Sequence, residues 1–99
     1  MSKRIFSYEE ATALLPRVQR ATAAAVERIN ELSEEDTDAY QSVITEWAES
    51  VLGLGVEVKG LWLVDFDSGG GYYCWRYPEP ALEYFHGYEE GFGGRVKLN

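Results

Sequence analysis

Basic residues are scarce in this chain. Nine lysines and arginines stand against seventeen aspartates and glutamates, for a net charge of −8. Binding a nucleic-acid backbone normally needs a basic stripe to neutralise phosphates, and the only adjacent basic pair is Lys3 and Arg4. Nucleic acid and anionic membrane surfaces are therefore not expected as partners. No run approaches the roughly 18 consecutive apolar residues of a membrane span. The opening MSKRIFSYEE goes straight from basic residues into acid without an apolar stretch, so it does not read as a signal peptide. A single cysteine cannot close an internal disulfide, which points to a fold held by packing and to a cytoplasmic setting. Repeats and low-complexity segments are absent as well. GFGGR (91–95) lacks the spacing of a P-loop or a dinucleotide fingerprint, so no nucleotide is expected.

What is present suffices for one core. Hydrophobic residues make up 45% and aromatics 14% of a 99-residue chain, which is the size of one domain spanning 1–99. The first half reads as helix. Ser7 with Glu10 three residues on is a capping box, and Glu9 and Glu10 sit in the positive first turn. Ala11, Leu15, Val18, Thr22, Ala25, Ile29 and Leu32 recur at steps of three and four. Pro16 predicts a bend or restart near Leu14–Leu15. An acidic connector, SEEDTD (33–38), precedes a second stripe at Tyr40, Val43, Ile44, Trp47, Val51 and Leu54, with Gly53 and Gly55 as stop signals. So short a connector folds the two helices into an antiparallel hairpin over about 7–53.

From Val56 the period changes. GLWLVDF (60–66) and YYCWRY (72–77) predict two strands joined through DSGGG. Pairing Phe66 with Tyr72 places Val64 opposite Cys74 and Trp62 opposite Arg76, with Leu63 and Asp65 sharing the other face with Tyr73 and Trp75. A slip of one residue would exchange the faces. Pro78 and Pro80 end the second strand, ALEYFH (81–86) predicts a third strand or a short helical turn, and the tail wraps the sheet edge. The expected fold is α+β, an antiparallel two-helix hairpin on a small antiparallel sheet of about three strands, with sheet and glycine-rich tail over 56–99.

Candidate chemistry gathers late in the chain. Cys74 offers a nucleophile or a soft metal ligand, but between Tyr73 and Trp75 it reads first as a small buried hydrophobe, since a nucleophile would need a base and an electropositive setting. His86 ends a strand beside Gly87, where it could serve as base, metal ligand or hydrogen-bonded core imidazole. Glu83 and His86 pair as metal ligands only if the segment is helical; on a strand, Asp65, Glu79 or Glu89 would have to converge on His86 instead. Arg76 and Arg95 offer either a salt bridge, Arg76 with Glu79 or Asp65, or an anion clamp with the backbone of GFGGR. Aromatics are so dense after Trp62 that a sheet face left uncovered by helices would present an apolar patch for dimerisation or a flat ligand.

FSYEEATALLP (6–16), GVEVKG (55–60), LVDF (63–66), CWR (74–76) with Glu79, and YFH (84–86) with GFGGR (91–95) together resemble a bacterial family known as domain of unknown function 2203. The resemblance implies that Asp65, Cys74, Arg76, Glu79, His86, Glu89 and Arg95 occupy motif positions, and it brings no activity with it.

Two functions compete on this reading. The first is a non-catalytic domain that forms a homodimer or binds a protein partner through its helical stripe or aromatic sheet face. The second is a small-molecule or metal site, with hydrolysis as one use, built on His86 with Asp65, Glu79, Glu89, Arg76 and Arg95. No cofactor is identifiable, and a metal at His86, Glu79 and Glu83 has only a weak signal. If the polar residues instead form one buried network, His86→Ala or Arg76→Ala should each cost about 2–5 kcal/mol.

Overall fold

The computed structural model of the chain describes residues 4–98. Lys3, half of the basic pair, and the start of the opening segment lie outside the described residues.

Helix α1 (Tyr8–Asn30) begins at the expected capping box. The Glu10 N–H donates to Ser7 Oγ at 3.0 Å and the Ser7 N–H to Glu10 Oε1 at 2.8 Å. It runs through Pro16 as one helix, so the expected restart does not occur. Pro16 lies on the exposed face, where water can satisfy the carbonyl that its missing N–H leaves free. Helix α2 (Thr37–Gly53) folds back along α1. Trp47 Nε1 donates to Thr22 Oγ1 at 2.8 Å, and that hydroxyl donates to the Val18 carbonyl at 2.7 Å, so both buried polar groups are satisfied. Gly55 adopts φ +85° just beyond the helix, the left-handed turn that glycine makes at least cost.

The sheet has five strands, not about three: β1 (Glu57–Gly60), β2 (Leu63–Asp67), β3 (Tyr72–Arg76), β4 (Tyr84–His86) and β5 (Val96–Lys97), paired antiparallel in chain order. Both additions are short edge strands. The first strand starts after Val56 and turns at Leu61–Trp62, so the segment expected to open at Gly60 is split. Trp62 has φ +60°, an unfavourable conformation for a tryptophan, and its ring packs edge-on to Trp47 with centroids 4.8 Å apart. The tail supplies the fifth strand along β4. Tyr77–Pro78 is a cis peptide at the corner after β3.

The β2–β3 register differs from expectation by one residue. Asp67 pairs with Tyr72, Phe66 with Tyr73, Asp65 with Cys74, and Val64 with Trp75. The loop is Ser68–Gly71, closed by Ser68 N–H to the Gly71 carbonyl at 2.8 Å, while Asp67 Oδ1 accepts the Gly69 N–H at 2.9 Å. Gly71 must be glycine for closeness of packing, since a Cβ there would lie 2.4 Å from the Phe85 ring and 2.7 Å from the His86 carbonyl oxygen. The slip exchanges faces. Val64, Phe66 and Trp75 look toward the helices and join Phe6, Leu15, Val18, Trp47, Val51 and Leu82 in one buried cluster. Asp65, Asp67, Tyr72, Cys74 and His86 share the opposite, outer face.

Candidate functional site

The outer face is thus mixed: Tyr72 and Tyr84 share it with a buried cluster of polar side chains. Asp65, Cys74 and His86 come from three neighbouring strands and are 1%, 1% and 5% exposed. One ligand atom of each, a carboxylate oxygen, the sulfur and a ring nitrogen, lies within 4.8 Å of the others. His86 Nε2 is 3.0 Å from Asp65 Oδ2, and Nδ1 is 2.9 Å from the Gly87 carbonyl oxygen. A carbonyl only accepts, so Nδ1 carries a hydrogen and Nε2 is the nitrogen turned toward the cluster. A single proton between Nε2 and Oδ2 satisfies both. Oδ1, the other carboxylate oxygen, is buried with no partner in hydrogen-bond geometry.

Burial pushes the Asp65 carboxyl above the usual carboxylate range, against the pull of His86 and of the nearby Cys74 thiol. The Cys74 thiol is pushed up to about 12, first by burial and then by the charge of Asp65, with Arg95 acting the other way. Without a strong Lewis acid the sulfur stays protonated at neutral pH, which disfavours a free nucleophile.

A second assembly adjoins the first. Arg95 forks onto both oxygens of Glu79, with Nη1 3.1 Å from Oε1, and the same Nη1 is 3.8 Å from Cys74 Sγ. Its guanidinium lies between the rings of Tyr84 (3.8 Å to the centroid) and Phe92 (4.1 Å). Glu79 also accepts the Arg76 backbone N–H at 2.9 Å, and its own carbonyl accepts Trp75 Nε1–H at 2.8 Å. In place of the ion pair expected between Arg76 and Glu79 or Asp65, Glu79 pairs with Arg95 and Asp65 is hydrogen-bonded to His86. The Arg76 side chain is exposed, its guanidinium 5.5 Å from the Phe92 ring. The expected residues separate into two groups, and Cys74 is the contact between them.

A cavity of about 460 Å³ opens on the first group, lined by all three donors together with Lys59, Tyr72, Tyr88, Glu89, Glu90 and Phe92 among others. Glu89 is thus beside the cluster. Glu83 is not, because β4 is a strand and Glu83 lines a separate cavity with Tyr8, Tyr73 and Leu82. Lys59 pairs with Glu57 at 3.0 Å and lies over the Tyr72 ring. Lys59 and Tyr72 are site residues with no signal in the sequence, and Cys74, expected to be buried, is buried beside Asp65 and His86 rather than in the apolar core. The alternation in VDFD (64–67), with Asp67 kept as the last strand residue and paired with Tyr72, is the signal that puts Asp65 beside Cys74.

These features define an α+β domain whose sheet buries an oxygen, a sulfur and a nitrogen donor together on its outer face. A family model described as Uncharacterized conserved protein (DUF2203) matches residues 27–98, and the chain belongs to that family. The matched span includes both polar groups. Searches of curated proteins and of solved structures return no match. Among the described residues, no helix is long and apolar enough to cross a membrane.

Proposed function

We propose that this is a metal-binding domain, with Cys74 Sγ, His86 Nε2 and Asp65 as ligands to a divalent ion of the zinc type. The observation that carries the reading is the buried convergence of three different donors, one of whose oxygens has no partner. A mixed sulfur, imidazole and carboxylate set is characteristic of zinc. A tetrahedral ion with bonds of about 2.0–2.3 Å holds neighbouring donors roughly 3.3–3.7 Å apart. The 3.0 Å between Nε2 and Oδ2 and the 4.8 Å outer bound bracket that range, so small side-chain movements suffice.

The surroundings support the same reading. A ligating histidine usually donates its other N–H to a carbonyl or carboxylate, as Nδ1 does to Gly87. The Arg95 N–H aimed at sulfur suits a thiolate better than a thiol. Self-association or a protein partner through the helical stripe or an aromatic sheet face has less support, because the stripe is packed in the core and residues 88–92 line the cavity over the outer face. Elemental analysis of protein purified without a histidine tag is the test. About one equivalent of metal per chain is expected, falling to background in Cys74→Ser. Metal-free protein from zinc-supplemented growth would contradict the reading.

A further inference from the structure

Among the described residues the cluster holds three donors, one fewer than a closed tetrahedral site needs. We propose that a metal held by Asp65, Cys74 and His86 keeps an exchangeable coordination position facing the 460 Å³ cavity, and that this position takes a small, uncharged nitrogen- or oxygen-donor ligand. The inference rests on the metal-binding reading and goes beyond it, because a structural site would be closed.

Three donors converge and no fourth joins them: among the described residues, no other histidine, cysteine or carboxylate belongs to the cluster. Structural zinc sites fill all four positions with side chains, whereas sites with three protein ligands leave the fourth to water or substrate. The cavity fixes where that position points. The three donors are nearly fully buried and form its floor, while Tyr88 and Phe92 are 49% and 39% exposed and stand at its mouth with Glu89 and Glu90. Its volume is that of a small-molecule pocket.

Charge selects the ligand class. A thiolate and a carboxylate already cancel the two charges of the ion. Arg95 is matched by Glu79 and Lys59 by Glu57, and the exposed Arg76, 5.5 Å from the Phe92 ring, is not among the residues lining the cavity. The mouth carries Glu89 and Glu90. The Glu90 carboxylate accepts the Gly87 N–H at 2.8 Å, which fixes it in place. An incoming anion meets a neutral centre behind two carboxylates, and a neutral donor meets no such barrier.

Cobalt(II) in place of zinc makes the position visible, because its visible bands report coordination number and its near-ultraviolet band reports the sulfur ligand. Full-length protein loaded with one equivalent of cobalt is titrated with imidazole and, separately, with azide. Imidazole is expected to shift the visible bands with saturation while the sulfur band persists, and azide to need at least about tenfold higher concentration, a difference of about 1.4 kcal/mol. Glu89→Gln should narrow that gap without altering the cobalt spectrum. Unchanged bands with both probes would mean a closed site and would overturn the inference while leaving metal binding intact. Azide binding as well as imidazole would overturn the charge selection. Failure to take up cobalt with a sulfur band would instead overturn the metal reading itself.

Discussion

Replacing His86 by alanine tests the buried pair without any metal. Asp65 is 1% exposed, its Oδ1 already lacks a partner, and its Oδ2 is held by His86 Nε2. Without the imidazole the carboxyl has two courses at pH 7. It can stay charged and buried, or take up a proton. Protonating a carboxyl of ordinary pKa 3.8 at pH 7 costs about 1.4 kcal/mol for each of roughly three pH units, so about 4 kcal/mol bounds the penalty. Asp65 is already raised by burial in the wild type, which removes part of this, and 2–4 kcal/mol remains. The ring borders an open cavity, so its loss adds little void energy. In a chain of this size such a loss lowers Tm by roughly 15 °C. The sign with pH follows from a carboxyl whose folded pKa is raised: the stability is present below its unfolded pKa and is lost as pH rises. The deficit should therefore shrink to about 2 kcal/mol or less at pH 5. Asp65→Asn, whose amide can donate to Nε2, should cost less than about 1 kcal/mol. Urea unfolding of metal-free protein at both pH values measures all of this. A His86→Ala curve within 0.5 kcal/mol of wild type at pH 7, or a deficit independent of pH, would refute the reasoning.

Two further outcomes follow from the same face. The Cys74 thiol has a folded pKa pushed up to about 12 against an ordinary 9.0, so its contribution is intact below pH 9 and falls as pH rises toward 12. Metal-free wild type should lose up to about 3 kcal/mol between pH 8 and 11 beyond whatever Cys74→Ala loses, by chemical unfolding; parallel pH profiles would contradict this. Arg95→Ala should cost about 2–3 kcal/mol, because it strands Glu79 and empties the slot between Tyr84 and Phe92, whereas Arg76→Ala should stay within about 0.5 kcal/mol. Thermal unfolding of the two variants side by side decides it, and equal losses would count against the pairing described here.

The helices were readable because their signals are local. A capping box spans four residues, and a stripe at steps of three and four survives one proline if the proline faces water. Strands β1 and β5 leave little trace in the sequence because they are short, and one of them runs into a turn made by a tryptophan rather than a glycine. The slip in the β2–β3 register came from assigning Asp67 to the loop, when its side chain organises the loop from the last position of the strand. That one residue hid the site: it separated Asp65 from Cys74 and left the cysteine looking like core. His86, Asp65 and Arg95 stand out by residue type, but their partners lie 16 to 21 positions away in the chain. Ion pairs at such separations depend on register and on the path of the tail, which no local pattern encodes.

The central claim, that Asp65, Cys74 and His86 bind a metal ion together, is tested most directly by calorimetric titration of zinc into chelator-stripped, tag-free protein. The account predicts about one site per chain with micromolar affinity or better, at least about −8 kcal/mol, lost in Cys74→Ser and His86→Ala and unaffected in Arg76→Ala. Absence of saturable binding, or binding that survives loss of both the sulfur and the imidazole, would contradict it.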